Sequence, residues 1–371
     1  MKIRNMLLGI AMVFFIILGS GCEKDQAIKI GVAGPHSGDL APYGIPPKNA
    51  VMLAADKINE AGGVLGRKVQ IVAEDDVCKP EVATNVASKM VAEEVVAVIG
   101  HVCSGATIAA MGVYRDNNIP VVSPSATNPD ITLKGENPLF FRTIPHDAAQ
   151  AILQSKFIAE YLKAKRVAVV HDKGDYGKGL ANLVKEGLEK RGINIVLYEG
   201  VTPGAVDYSA LIRKIAKENP DVVAFGGYHP EGSKIITQAR KKNIKAAFIS
   251  GDGLKDPSLI KIGGQFVEGY YVSSPADIST IPATVEVTNE LKARGQQPGN
   301  FGLQAHAAII AIFNAIEKSN STKGQDIGNM LRSENVSTTL GNISFDQYGD
   351  VVGSGFAIYQ VQNAEFVSVD W

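Results

Sequence analysis

The sequence contains few cysteines, little tryptophan and no excess of charge of either sign. Of its 371 residues only three are cysteine and one is tryptophan, and the formal net charge is -1. A nearly neutral chain argues against nucleic-acid binding, which needs a concentrated positive surface. With 45% hydrophobic residues, the composition is that of a globular protein. Its length exceeds that of one ordinary core, so at least two lobes are expected.

A long apolar run lies at the amino terminus. Lys2 and Arg4 precede the uncharged residues 6–18, and Gly19-Ser20-Gly21-Cys22 follows. A basic start, an apolar run shorter than a membrane span and then small residues are typical of a signal peptide. We therefore predict residues 1–22 to be a signal peptide with a lipobox-like end, in which Cys22 is the lipidation site. Gly19 stands where a lipobox prefers an aliphatic residue.

The other two cysteines, Cys78 and Cys103, each follow a strand-like run. An even pair in an exported protein is compatible with a disulfide. Closing the intervening loop would stabilise the fold by roughly 3 to 4 kcal/mol. We predict a Cys78–Cys103 bridge that fixes the loop presenting Ser104, with two buried free thiols as the alternative.

Short β-branched runs alternate with helical patterns through most of the chain. The first series has strands over 27–32, 69–73, 95–99 and 120–123, with helices opening at 47, 80 and 106. The second has helices over 147–162, 177–190, 208–218 and 230–242, and strands over 166–171, 194–199, 221–225 and 246–250. This alternation predicts an α/β fold with doubly wound parallel sheets, and two series predict two lobes.

The last part of the chain contains too few strand patterns for a third domain. Helices are predicted over 283–294 and 301–319, and short strands over 340–345, 357–361 and 366–369. We assign residues 27–145 with 277–352 to lobe 1, and residues 146–276 with 353–371 to lobe 2. The chain then crosses between the lobes three times, an arrangement that suits a hinge.

Two predicted strands of lobe 1 end in small and hydroxyl-bearing residues. Ser104 follows the strand over 95–99, and Thr127 follows the strand over 120–123. Ligands bind at the carboxyl ends of parallel strands, where backbone N–H groups at helix starts favour an anion. The pattern predicts a cleft that binds the carboxylate of a free amino acid.

The order of motifs along the chain resembles that of the periplasmic leucine/isoleucine/valine-binding proteins, the solute receptors of branched-chain amino acid ABC importers. The motifs are Gly34-Pro35-His36-Ser37-Gly38, Tyr43-Gly44, Asp75-Asp76-Val77-Cys78, Ile99 to Ser104, Pro124-Ser125-Ala126-Thr127, His171 to Gly177 and Gly226 to Glu231. The resemblance extends from about residue 28 to about residue 359. It implies a type I periplasmic binding protein fold with two Rossmann-like lobes and a three-crossover hinge.

The resemblance also implies which residues contact the ligand. They are Tyr43, Ser104, Ser125, Ala126, Thr127, Tyr176, Tyr228, Asp252 and Phe301. Ser104 and Thr127 would bind the carboxylate, and the carbonyl of Ser125 and the hydroxyl of Thr127 would face the ammonium. Tyr176 and Tyr228 would close over the ligand from lobe 2.

In this comparison, Tyr43 and Phe301 would line the side-chain pocket. Asp252 occupies the position of the acidic ammonium partner, which in the leucine/isoleucine/valine type is a longer Glu.

Several of these residues have simpler interpretations. Tyr43 and Tyr176 could be half-buried core edges, Asp252 between two glycines could be a turn former, and Thr127 could cap a helix. A zwitterion nevertheless needs both charges matched, since an unpaired buried charge costs several kcal/mol. Hydroxyl groups on one lobe and a carboxylate on the other would match both charges only when the cleft is closed.

Motifs for chemistry are absent from the sequence. The six histidines lack metal-ligand spacing, and no Gly-x-Ser-x-Gly nucleophile motif occurs. We therefore predict neither an enzyme nor a metal or cofactor site. The sequence predicts a monomeric periplasmic or lipid-anchored receptor that delivers an aliphatic L-amino acid to an ABC permease. The alternatives are a receptor for an amide, urea or other small polar solute, and a ligand-binding sensor module.

Overall fold

The computed structural model describes residues 26–371. The predicted signal peptide and Cys22 lie outside the described residues. Within that range, no helix combines the length and the apolar character needed to cross a bilayer.

Fifteen strands and twelve α-helices follow one another in the described chain. The strands are β1 (Ile28–Gly34), β2 (Val69–Asp75), β3 (Ala97–Ile99), β4 (Val121–Ser123), β5 (Phe140–Arg142), β6 (Arg166–His171), β7 (Asn194–Gly200), β8 (Val222–Gly226), β9 (Ala247–Ser250), β10 (Tyr271–Pro275), β11 (Val336–Thr338), β12 (Gly341–Phe345), β13 (Val351–Val352), β14 (Phe356–Gln362) and β15 (Glu365–Ser368). The helices are α1 (Ile45–Glu60), α2 (Pro80–Ala92), α3 (Ser104–Asp116), α4 (Asp130–Leu133), α5 (Asp147–Lys156), α6 (Asp175–Glu189), α7 (Ser209–Glu218), α8 (His229–Lys241), α9 (Pro257–Gly263), α10 (Pro282–Ala293), α11 (Gly302–Ser319) and α12 (Gly324–Ser333).

The first sheet has the order β2-β1-β3-β4-β5, and all its strands are parallel. Because side chains alternate across a strand, its short strands contribute to two cores. Val98 packs with residues of α2 and α3 on one face. Its neighbours Ala97 and Ile99 pack with α1 and α11 on the other. Helices on both faces of a parallel sheet confirm the predicted doubly wound α/β fold.

The second sheet has the order β15-β14-β10-β9-β8-β6-β7. Strands β6 to β10 are parallel, whereas β14 runs antiparallel to both β10 and β15. Helices α5 and α6 cover one face, and α7, α8 and α9 cover the other. This is a second doubly wound unit with an antiparallel edge.

The carboxyl-terminal part of the chain contributes elements to both units. Helix α11 fills the core of the first sheet, and β14 and β15 extend the second sheet. A small antiparallel sheet, β11-β12-β13, lies between them in sequence. We call the first sheet with its helices the first lobe and the second sheet with its helices the second lobe.

The predicted elements exist, and most of their ends lie within three residues of the predicted positions. Helix α3 begins at Ser104, not at residue 106, so Ser104 is a helix residue with Cys103 as its N-cap. The α-helical part of the predicted helix 147–162 ends at Lys156 and continues as a π-helical turn over Phe157–Tyr161. No sequence pattern predicted β5, β10, β11, β13, α4, α9 or α12, most of which are too short to show periodicity.

Candidate functional site

The carboxyl ends of the two sheets face each other across a cleft. The cavity between them is lined by Tyr43, Val102, Ser104, Ser125, Tyr176, Tyr228, Asp252, Gly253 and Phe301. Its empty space is about 260 Å³, part of which opens to solvent. The structure thus brings together residues that are more than 200 positions apart in the sequence, and seven of the predicted site residues are among them.

The wall from the first lobe is built from the ends of β3 and β4. These strands are neighbours in the sheet, so the loops that follow them are adjacent. The Ser125 hydroxyl donates to the Val102 carbonyl at 2.8 Å. The Ser104 hydroxyl accepts from the backbone N–H of Asn128 at 3.2 Å. These two bonds hold the serines of both loops at the cavity.

The other two predicted residues of this wall, Ala126 and Thr127, lie behind the cavity surface. The N–H of Ala126 donates to the Ser123 hydroxyl at 2.9 Å, and its carbonyl accepts from Nη1 of Arg142 at 2.9 Å. Thr127 is fully buried, and its hydroxyl lies beside the Asp147 carboxyl, whose pKa it acts to lower. Ala126 therefore contributes backbone geometry, whereas the Thr127 side chain faces the first turn of α5.

A buried arginine, Arg142, stabilises the loop that follows β4. Arg142 is 0% exposed, and its Nη1 also donates to the Asn128 carbonyl at 2.9 Å. Its Nε pairs with Oδ1 of Asp350 at 2.5 Å. A charge-assisted network of this kind orders the backbone that it contacts.

The wall from the second lobe centres on Asp252, which follows β9. Asp252 Oδ1 accepts from the Tyr176 hydroxyl at 2.8 Å and from Nε2 of Gln150 at 3.1 Å. Burial raises the pKa of the Asp252 carboxyl, while both of these hydrogen bonds act in the opposite direction. A side chain at Gly251 would collide with the Tyr176 hydroxyl, so this glycine lets the tyrosine reach the carboxylate.

Aromatic rings complete the cavity. The ring centroids of Tyr176 and Tyr228 lie 5.2 Å apart, and that of Tyr43 lies 6.0 Å from Tyr228 and 6.2 Å from Phe301. The Tyr43 hydroxyl donates to the Gly253 carbonyl at 2.6 Å and lies 2.8 Å from Nδ1 of His229. Aromatic rings from both lobes therefore surround the polar groups of the cavity.

Cys78 and Cys103 are joined by a disulfide, with Cα atoms 5.5 Å apart. Beside it, Asp76 accepts from the N–H of Cys78 at 2.8 Å and lies 2.6 Å from Nδ1 of His101. His101 Nε2 lies 3.0 Å from the Tyr114 hydroxyl. The bridge and this buried network fix the loop that ends at Ser104.

Asp147 and Gln150 were not among the predicted site residues. Both are on the first turn of α5, three residues apart and therefore on one face of the helix. Both are 0% exposed. The sequence shows that these two polar side chains lie three residues apart at the start of a helix. It does not show that Gln150 contacts Asp252, which only the folded structure reveals.

The chain matches the model of the periplasmic binding protein family over residues 27–365. It is 37% identical over 335 residues to the Leu/Ile/Val-binding protein of Escherichia coli K12, covering 90% of each chain. It is 38% identical over 336 residues to the leucine-, isoleucine-, valine-, threonine- and alanine-binding protein of Pseudomonas aeruginosa, again covering 90% of each.

A solved structure is also similar. It is the branched-chain amino acid transporter substrate-binding protein of Streptococcus pneumoniae in complex with isoleucine, with a TM-score of 0.83 and 27% identity. The match covers 93% of this chain and 99% of that one.

Proposed function

Because this chain belongs to the periplasmic binding protein family, we propose that it is the extracytoplasmic substrate-binding protein of an ABC importer. Its ligand is a branched-chain or other aliphatic L-amino acid, held between the lobes. The observation that carries this proposal is the position of Asp252, a buried carboxylate that faces the serines of the opposite lobe across one small cavity.

The polar groups of the cavity match a zwitterion. Ser104 and Ser125 provide hydroxyl groups beside the start of α3, where free N–H groups favour a carboxylate. Asp252 provides the anion for the ammonium. Burying either ligand charge without its partner would cost several kcal/mol, so tight binding requires the lobes to be closed.

The remaining surface suits an aliphatic side chain. Tyr43, Phe301 and Val102 are apolar or aromatic neighbours on the first lobe, and Tyr228 faces them from the second. Side chains from both lobes lie close together around this cavity, which supports one free amino acid rather than a peptide as the ligand.

The proposal includes the rest of the transport cycle. Residues 27–145 with 277–352 and residues 146–276 with 353–371 move as two units about three connecting segments. The closed form docks on the membrane subunits of the permease as a monomer, and the ligand leaves unchanged because the protein performs no covalent chemistry. Export by residues 1–22 and lipidation at Cys22 would place it in the periplasm or on the outer face of a membrane.

Isothermal titration tests this function. The body from Glu23 onward, unfolded and refolded to remove bound ligand, is titrated with leucine, isoleucine, valine, alanine, phenylalanine and a short-chain amide. We expect micromolar or tighter binding, about 8 kcal/mol or more, to at least one aliphatic amino acid. Heat only with the amide would contradict the ligand class and favour the polar-solute alternative, for which the short acidic side chain at Asp252 would be the first explanation to test.

A further inference from the structure

His229 is the first residue of α8 in the second lobe, and its ring faces Tyr43 of the first lobe. The two ring centroids lie 5.4 Å apart, and Nδ1 of His229 lies 2.8 Å from the Tyr43 hydroxyl oxygen. The same hydroxyl donates to the Gly253 carbonyl at 2.6 Å. Tyr43 is therefore held between two groups of the opposite lobe.

The number of available hydrogens fixes the tautomer of His229. A tyrosine hydroxyl has one hydrogen and two lone pairs, whereas a carbonyl oxygen only accepts. Burial raises the pKa of Tyr43 well above its ordinary value, so its hydroxyl keeps the hydrogen that it donates to Gly253. The contact with His229 is then a hydrogen bond only if Nδ1 is the donor. Neutral His229 is therefore the Nδ1–H form, with the lone pair on Nε2.

The hydrogen bonds of Tyr43 continue to Asp252. The Gly253 N–H donates to the Tyr176 hydroxyl oxygen at 3.1 Å, and that hydroxyl donates to Oδ1 of Asp252 at 2.8 Å. Tyr43, Tyr176, Asp252 and Gly253 all line the cavity. His229 therefore acts on the ligand site through Tyr43 and Gly253.

A second proton on His229 conflicts with its surroundings when the cleft is closed. The residue is 2% exposed, and burial disfavours the charged form of a side chain. It also stands at the start of α8, where the positive end of the helix dipole disfavours a cation. Burial accordingly lowers the pKa of His229. The closed cleft therefore holds the neutral ring.

The charged and titratable groups around His229 come from both lobes. They are Asp39 and Tyr43 in the first lobe, and Asp256 and the preceding residue Tyr228 in the second. The charges of Asp256 and Asp39 act to raise the pKa of His229, but burial lowers it by more. The Asp256 carboxylate already accepts from the Ser258 N–H at 2.8 Å and from Nδ2 of Asn300 at 3.2 Å. The two acids therefore offset the burial of a charged ring only in part.

We propose that His229 is a positioning residue of the ligand site, whose neutral form holds Tyr43 against the second lobe and whose protonation opens the cleft. This inference rests on the proposed function, because it concerns closure of the same cleft. When the lobes separate, the ring leaves Tyr43 and meets water, and Nε2 takes a proton from solvent. Closure returns that proton to solvent and restores the bond from Nδ1–H to Tyr43.

Ligand affinity should therefore fall in acid. In the open form His229 titrates near the ordinary imidazole value of about 6.5, whereas in the closed form its pKa is lower. Below about pH 6.5 closure must expel a proton, so affinity falls by up to about tenfold per pH unit. Above about pH 7.5 the ring is neutral in both forms, and His229 contributes no pH dependence.

Titration calorimetry of the preferred amino acid between about pH 7.5 and about pH 5.5 tests the inference. In His229→Asn a side-chain amide N–H replaces Nδ1–H, and no titrating ring remains. We expect this variant to bind within about threefold of wild type at about pH 7.5. At about pH 5.5 wild type should have lost about three- to tenfold more affinity than the variant. The carboxyl groups of the site are common to both proteins, so this difference isolates His229.

His171→Asn is the matched control. His171 is also buried, and burial lowers its pKa too. The charged groups around it, Lys178, Lys173 and Glu199, all belong to the second lobe. Closure leaves these surroundings unchanged, so His171→Asn should keep the wild-type pH profile.

His229→Phe tests the hydrogen bond to Tyr43 separately from the titration. The variant keeps an aromatic ring but has no donor for the Tyr43 hydroxyl oxygen. We expect it to bind about three- to tenfold more weakly than wild type at about pH 7.5, with the same flat profile as His229→Asn. Unchanged affinity in His229→Phe would show that this bond does not position Tyr43.

Two further outcomes separate the inference from the proposed function. Parallel pH profiles of wild type and His229→Asn would overturn the inference and leave the proposed function intact. Silence of the wild-type protein with every amino acid would instead overturn the proposed function.

Small-angle scattering tests the opening without ligand. From about pH 7.5 to about pH 5.5 the radius of gyration of the ligand-free wild type should increase, whereas that of His229→Asn should stay constant. Equal radii for the two proteins at both pH values would overturn the inference.

Discussion

The Tyr43 hydroxyl donates a 2.6 Å hydrogen bond to the Gly253 carbonyl, and this buried bond joins the two lobes beside the cavity. On another side, Nδ2 of Asn128 donates to the Asp175 carbonyl at 2.8 Å. Each such bond contributes only about 0.5 to 1.5 kcal/mol. A closed state held by a few of them can open readily when the ligand is absent.

The Asn128–Asp175 bond can be removed selectively. Asn128→Asp retains the Oδ1 atom that accepts from the N–H of Asp130 at 2.8 Å, but it replaces the donor that faces the Asp175 carbonyl. We expect ligand affinity to fall by about three- to tenfold, chiefly through faster dissociation, with little change in the melting temperature of the ligand-free protein. Stopped-flow displacement measures the dissociation rate.

Asn300→Ala provides a comparison for this variant, since its bond to Oδ2 of Asp256 is longer, at 3.2 Å. We expect a smaller effect from it. An unchanged dissociation rate in Asn128→Asp would show that this contact does not hold the cleft closed.

Asp252 should be essential for tight binding. Removing its charge in Asp252→Asn leaves the ligand ammonium without its main partner in a buried site, which costs about 2 to 5 kcal/mol, or 30-fold or more in Kd. Calorimetry measures the loss, and the exposed Asp277→Asn serves as control. Near-normal affinity of Asp252→Asn would contradict the assigned role.

The disulfide should contribute to stability. Reduction of Cys78–Cys103 frees a loop of 25 residues, which in the loop-entropy model costs roughly 3 to 4 kcal/mol. A thermal melt with reductant should therefore show a lower transition than one without it. The double variant Cys78→Ser with Cys103→Ser should melt at the lower temperature in both conditions. Identical wild-type melts with and without reductant would refute this prediction.

His306 should weaken the protein in acid. Burial within α11, followed by the charge of Lys57, lowers the pKa of this imidazole to about 4. The unfolded chain binds the proton near pH 6.5. Stability is therefore complete above about pH 6.5 and falls as the pH drops toward 4, by up to about 3 kcal/mol.

Urea unfolding of His306→Gln over this pH range tests the prediction. The variant should lose less stability than wild type between neutral and acid pH. Parallel pH profiles for the two proteins would show that another group controls the acid sensitivity.

Local sequence patterns predicted the doubly wound sheets and the strand ends that carry Ser104 and Ser125. A strand such as Arg166–His171 has a continuous β-branched run, and its observed bounds equal the predicted ones. The edge strand Phe140–Arg142 has three residues, too few to show a period. It forms because β4 offers a free edge beside it.

Asp252 and the polar residues around it were only partly predictable from the sequence. Asp252 was identified through a family resemblance, since an Asp between two glycines by itself is typical of a turn. Gln150 and Asp147 were missed because their partners are distant in sequence. The bond from Gln150 to Asp252 joins residues 102 positions apart, and helical periodicity carries no information at that range.

The late return of the chain to both sheets has a consequence for biogenesis. Residues of α11 fill the core of the first lobe, and β14 pairs with β10 in the second. A chain that becomes available for folding from its amino terminus therefore completes neither core until nearly all of it is present. Truncated products would expose both unfinished cores to proteolysis, so full-length molecules would accumulate in preference to them.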